Sequence, residues 1–146
     1  MYKKPINLDA FKYAYENSKN PLCFNGDLFA LEDVKRIEES FPNVKSMMFG
    51  RGILMNPGLI YEIKHGEPAP TDMLKEFLDL LLDGYMRIIP DKKHIIMKMK
   101  ELWFYLQNSF SEEDKVFKKI KKIKNIEEYK VLERQILQSP NHVFPH

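Results

Sequence analysis

The chain has 146 residues, 44% of them hydrophobic and 30% charged, with a formal net charge of +2, which suits one ordinary globular domain or two small ones. No apolar run approaches the roughly 20 residues that cross a bilayer, and the opening "MYKKPINLDAF" lacks the apolar run of a signal peptide. The single cysteine, Cys23, permits no internal disulfide and, with no export signal, fits a reducing cytoplasm, the expected location.

In chain order, "LDAFKYAYENS" (residues 8–18) repeats Leu8, Phe11, Ala14 and Tyr15 at helical spacing, with Asn7 or Asp9 placed to cap it. "PLCFNGD" reads as a short buried strand that opens at Pro21 and closes at Gly26, with Cys23 a small buried packing residue. Residues 31–41 predict a second helix with Leu31, Val34, Ile37 and Phe41 on one face, broken by Pro42 and Asn43. "VKSMMFG" is a second apolar strand ending at Gly50. Two strands joined by a packed helix make a parallel βαβ unit, and the long connection excludes a hairpin. Two parallel strands make no stable sheet alone, so the piece belongs to something larger.

From Asn56 the pattern changes. "NPGLIYEIKHGEPAP" is a punctuated connector with one helical turn around Leu59–Ile63. Thr71 is placed to cap a long helix stopped by Pro90, and Asp91 to cap another running to Phe110. Ser111 to Asp114 forms a short capping-box signature before "KVFKKIKKIK", and a last helix spans roughly residues 126–138. Four helices with short links predict an antiparallel bundle. There is no internal repeat and no zinc spacing, and no metal is expected; His65, His94, His142 and His146 show no ligand pattern.

The chemistry concentrates where the two strands end. In a (β/α)8 barrel, ligands bind at the C-terminal ends of the strands, and a phosphate site commonly forms from the last two loops and a short following helix. Glycines let a backbone approach an anion closely, and free amides at a helix start point at it. Gly26, Gly50 and Arg51 would present amides to a phosphate, and the Arg51 side chain would add a charge-assisted contact. Asn25 and Asp27 would hold the loop or bond to ligand hydroxyls. Taken alone, Asn25-Gly26-Asp27 is equally a common tight turn.

The stretch "FNGDLFALEDVKRIEESFPNVKSMMFGRGILMNPGLIYEI" resembles the final barrel segment of the tRNA-dihydrouridine synthases. The family's pattern there is an NGD- or NGE-type loop, a helix, then an apolar strand ending in GRG, followed shortly by NP. This chain has Asn25-Gly26-Asp27, Gly50-Arg51-Gly52 and Asn56-Pro57. The likeness extends over about residues 7–110, with sharp motifs only in 24–57.

The resemblance implies an FMN-dependent reduction of uridine in tRNA, with electrons from NADPH, and makes Asn25, Gly26, Asp27, Gly50 and Arg51 the cofactor-binding residues. It implies an α/β remnant, the last two parallel βα units of a TIM barrel, at residues 1–60. A tRNA-binding helical bundle follows at 61–146, so the chain is mostly helical overall. The family's general-acid cysteine lies earlier in the barrel; Cys23 sits inside a strand and is no candidate, so no catalytic residue is expected here. The expectation is a C-terminal fragment, inactive alone, with the tail folded over the open strands or two copies paired through them. A free-standing, non-enzymatic RNA-binding module stays open, as does a fragment of another FMN barrel of the dihydroorotate dehydrogenase type.

Charge is uneven: residues 1–90 carry 11 Lys+Arg against 13 Asp+Glu, and residues 91–146 carry 12 against 8. In "KVFKKIKKIK", Phe117, Ile120 and Ile123 form one stripe; Lys118, Lys119, Lys121 and Lys122 are a candidate tRNA-phosphate surface or simply a solvated face. Trp103, Phe104 and Tyr105 offer base-stacking surfaces, though core packing is the expected role, as it is for Met47, Met48, Met97 and Met99. Glu38-Glu39 and Glu127-Glu128 are expected on exposed faces.

Overall fold

A computed structural model describes residues 5–110 and 115–138 of the chain. Helix α1 spans Leu8–Asn17, with Asn7 as its cap: its Oδ1 accepts the Ala10 amide at 2.9 Å. Strand β1 (Cys23–Asn25), helix α2 (Leu31–Ser40) and strand β2 (Ser46–Met48) form the predicted parallel unit, with Phe24 paired to Met47. Both strands are only three residues long. Short helices α3 (Arg51–Met55) and α4 (Leu59–His65) follow. Helix α5 runs Thr71–Ile88 with Pro70, not Thr71, at the capping position. Helix α6 runs Lys92–Leu106 and tightens into a 3-10 turn at Gln107–Ser109; its start is capped by Asp91, which accepts the Lys93 amide at 2.8 Å.

The predicted helix over "KVFKKIKKIK" is shorter than its pattern. Helix α7 covers Val116–Ile120 and gives way to a turn at Lys121 and Lys122. The chain then enters α8 (Ile126–Leu137), which Asn125 caps. The capping-box signature at Ser111 to Asp114 lies outside the described residues, as do His142 and His146. The chain is mostly helical, with one small two-stranded parallel sheet.

Two apolar clusters organise these elements. The larger joins α5, α6, α7 and α8 around Leu78, Met99, Trp103, Leu106, Ile120 and Tyr129. The smaller gathers Phe24, Leu28, Ile37 and Phe41, with Phe11 and Tyr15 of α1 packed against it. Its aromatics meet edge to face: Phe11 lies 4.9 Å from Phe24 and 5.0 Å from Phe41.

Alternation along β1 corrects one expectation. Phe24 takes the buried face, so Cys23 and Asn25 turn to the other, and Cys23 is exposed rather than a buried packing residue. Met48 is likewise 51% exposed, on the same open face, and Met97 is 63% exposed; Met47 and Met99 pack as expected. The described residues of the helical tail do not cover that face. They pack instead on the segment after β2, where α6 meets α3 and the Ser109 hydroxyl donates to the Met55 carbonyl. Of the three consecutive aromatics, Trp103 is core, Tyr105 half-buried and Phe104 43% exposed.

Inside the larger cluster the Trp103 indole N–H donates to the Tyr129 hydroxyl at 3.1 Å, and Tyr129 faces Glu133 one turn on. Glu133 is 5% exposed, and among the described residues its Oε2 has no hydrogen-bond partner. Burial raises the Glu133 carboxyl above its ordinary 4.5; the Tyr129 hydroxyl opposes the rise, Asp79 adds to it, and Lys75 and Lys130 oppose it. Burial also pushes the Tyr129 hydroxyl up. A carboxyl held above its unfolded value contributes stability that is full below about pH 4.5 and is lost as pH rises through its folded value. Glu133→Gln keeps the shape without the charge, so it should melt higher than the parent at about pH 8, and the gap should close toward about pH 5. Thermal melts followed by circular dichroism check this; parallel curves would show that Glu133 is not the titrating group.

Candidate functional site

Asn25, Gly26 and Asp27 leave the C-terminal end of β1, and Gly50 and Arg51 leave the C-terminal end of β2. Parallel pairing brings both exits to one end of the sheet, Asn25 beside Met48. All five residues line one cleft of about 790 Å3, walled on other sides by Ile6, Phe11 and Tyr105. The sequence-predicted loops are therefore side by side.

The two loops hold each other. The Arg51 guanidinium donates to the Asp27 carboxylate and lies 5.8 Å from the centre of the Phe29 ring. Both partners are about two-fifths exposed, at 40% and 41%, so the pair is wet and contributes at most about 1 kcal/mol. Asp27 thus holds the loop through Arg51. The charge expected to meet an anion is already shared with a carboxylate.

A harder constraint is Gly52. A β-carbon there would sit 2.0 Å from the Leu28 carbonyl oxygen, so only glycine lets α3 lie against the first loop. Leu28 is fixed in turn, because its amide donates to the Gly26 carbonyl at 2.8 Å. Beyond it, Asp33 accepts the amides of Phe29 and Ala30 at 2.9 and 3.1 Å, tying the loop to the start of α2. Behind α3, the 1% exposed Asn56 accepts the Gly58 amide and donates to Glu62, both at 2.9 Å.

Sequence reasoning assigned neither Gly52 nor Asn56 a role. Both stood inside quoted motifs, but a close backbone approach and a buried side-chain turn leave no periodic signal.

The glycines differ in kind. A β-carbon at Gly26 would strike its neighbour Phe24 at 2.6 Å and Ile6 at 2.9 Å, so that glycine serves local packing. At Gly50 nothing lies within 4 Å, and the backbone there opens into the cleft. The start of α3 has no side-chain cap, which leaves its first amides to other acceptors. With five residues, α3 supplies individual amides rather than a helix-wide dipole. An open glycine, uncapped amides and a guanidinium at one cleft fit a phosphate group.

The candidate lysines divide between two grooves. Lys118 and Lys119 are in the last turn of α7, while Lys121 and Lys122 are in the turn beyond it. Lys119 and Lys122 line a groove between α7 and α8 together with Glu127 and Glu128. Lys121 turns to the opposite side, against Phe117 and α6. The helix ends too early to keep them on one face.

Among the described residues no group of His, Cys, Asp and Glu could hold a metal ion, and no helix is long and apolar enough to cross a membrane. His94 pairs with Asp91 at 3.2 Å, and the His65 ring stacks on Tyr61.

Comparison with known proteins gives the site a context. The family model of dihydrouridine synthase (Dus) matches residues 1–141. The tRNA-dihydrouridine(20a/20b) synthase (NAD(P)+) of Saccharomyces cerevisiae is 46% identical over 59 residues, covering 38% of this chain and 16% of that protein. The tRNA-dihydrouridine(16) synthases of Shewanella oneidensis and Neisseria meningitidis are 28% and 24% identical. Each of those alignments covers 97% of this chain, and 44% and 43% of the respective relative. The chain spans less than half the length of the curated relatives it matches.

Two substitutions separate the contributions. Gly52→Ala should cost about 3 kcal/mol in urea unfolding, at the upper end of overpacking, because the obstacle is backbone. Asp27→Asn should cost less than about 1 kcal/mol. The reverse order would mean that the ion pair, not the close approach, joins the loops.

Proposed function

The chain belongs to the dihydrouridine synthase family, and from that membership we propose that it forms part of an FMN-dependent enzyme that reduces uridine in tRNA. In this reading residues 1–60 are the closing units of the flavin-binding barrel and residues 61–146 the helical, tRNA-facing part. The cleft between the loops takes the FMN phosphate, with Gly50 and Arg51 supplying amides and Arg51 its guanidinium. Asn25, Gly26 and Asp27 shape the facing wall. The single observation that supports this most is the joining of the two loops at one end of a parallel sheet, by Arg51 and Asp27, beside an open glycine.

FMN, reduced by NADPH, supplies the electrons in such an enzyme; this chain's residues bind and orient it. No residue here is assigned proton transfer, so the chain contributes binding rather than catalysis and is inactive alone. Family membership favours this reading over another type of FMN barrel. We place the protein in the cytoplasm, where tRNA and NADPH meet.

The phosphate contribution can be isolated by titrating FMN and riboflavin against the 146-residue chain and following flavin fluorescence. FMN should bind at least about tenfold more tightly than riboflavin, a difference of about 1.4 kcal/mol. Arg51→Glu should bring FMN down to the riboflavin level and leave riboflavin unchanged. Equal binding of the two flavins, or FMN binding indifferent to Arg51→Glu, would remove the phosphate assignment.

A further inference from the structure

The groove between α6 and α7 is separate from the flavin-phosphate cleft, yet Tyr105 lines both. It measures about 730 Å3, and its floor is aromatic: Phe104 lies 5.5 Å from Phe117 and 5.3 Å from Tyr105, in edge-to-face contact. Phe104 is 43% exposed and the adjoining Met97 63% exposed, so apolar surface faces water here. Three lysines, Lys98, Lys100 and Lys121, line the groove against one carboxylate, Glu101.

Those lysines have different duties. Lys100 donates to the carbonyls of Lys121 and Ile123 at 3.0 and 2.6 Å, which fixes the turn after α7. The fixed turn sets the Lys121 ammonium over the Phe117 ring at 4.7 Å. Lys98 is bridged to Glu101 at 3.1 Å, whereas Lys121 has no carboxylate partner among the described residues. Among the described residues the groove therefore combines aromatic faces with a net positive charge. The α7–α8 groove sets Glu127 and Glu128 against Lys119 and Lys122, and it holds no aromatic side chain.

We propose that the α6–α7 groove seats an unpaired stretch of RNA, with a base on the exposed Phe104, phosphates at Lys121 and Lys98, and Tyr105 carrying the path on to the flavin-phosphate cleft. The inference deepens the tRNA reading given above and rests on it. Charge complementarity selects an anionic occupant. The aromatic floor selects bases with free faces, which a stacked duplex does not offer. Lys118, Lys119 and Lys122 lie outside the binding surface.

The test is fluorescence anisotropy with a labelled single-stranded RNA of about ten nucleotides, within the usual span of such grooves, and a duplex of the same length. The unsubstituted chain should prefer the single strand. Phe104→Ala should weaken it at least about fivefold, in line with the loss of one stacked base. Lys121→Gln should reduce the dependence of log affinity on log salt by about 0.7, one phosphate contact on a single strand. Lys119→Gln with Lys122→Gln should leave affinity within about twofold. Should Phe104→Ala unsettle the fold by circular dichroism, Lys98→Gln and Lys121→Gln, both on exposed side chains, carry the same test.

Wild-type binding by the groove variants, with loss in the Lys119/Lys122 variant, would overturn the groove and leave RNA binding standing on the other face. Equal affinity for duplex and single strand would also overturn it, by reducing the contact to phosphates. If the unsubstituted chain binds no RNA at low salt, both this inference and the RNA half of the proposed function fall; the flavin titration judges the cofactor half separately.

Discussion

The Leu28 carbonyl oxygen lies where a β-carbon on residue 52 would have to be, and most of the arrangement follows from that contact. It brings the helix after β2 against the loop after β1 without any side chain between them. The same helix is then gripped from behind. Ser109, at the end of α6, donates to the Met55 carbonyl, and the buried Asn56 closes the turn into α4. One five-residue helix thus ties the two strand-end loops to each other and both loops to the helical part. Removing a hydrogen at Gly52 in favour of a methyl group would disturb all three connections, because packed interiors do not absorb such overlap locally.

The strands could not make this arrangement by themselves. Three residues each, with one face and both outer edges left open by the described residues, they fall well short of a self-supporting sheet. Their stability comes from one side only, where Phe24 sits in the aromatic cluster of α1 and α2. Tyr15 reinforces that layer twice, stacking edge-on with Phe41 at 5.3 Å and accepting the Asn43 amide at 3.1 Å. The loops at the strand ends are therefore held between an aromatic layer and α3. Their open side is the one that carries Asn25, Gly50 and the Arg51–Asp27 pair.

Much of this was legible in the sequence because local rules and global packing agree. Asn7, one of two candidates, and Asp91 each stand just before a helical pattern, and each caps a helix. The parallel unit followed from two apolar runs and the helix between them. Other features depend on partners distant in sequence. Whether Cys23 or Phe24 faced inward turned on the phase of a three-residue strand, which too few alternations define. The stripe of Phe117, Ile120 and Ile123 suggested a longer helix, but Lys100 draws the chain into a turn by binding two carbonyls of its far end. The pairing of Arg51 with Asp27, 24 residues apart, has no local signal at all.

That pairing bears on how such a cleft would discriminate. A lone arginine at the mouth of a cleft attracts any anion, and its field reaches roughly a Debye length, about 8 Å at physiological salt. With Asp27 beside it the long-range field nearly cancels, so little draws inorganic phosphate into this end of the sheet. What remains is short-range: the backbone at Gly50, the uncapped amides of α3, and whichever guanidinium donors Asp27 does not use. Such contacts reward a phosphate delivered in register by the rest of a larger ligand more than a free ion. Under the flavin reading, the carboxylate thus serves selectivity.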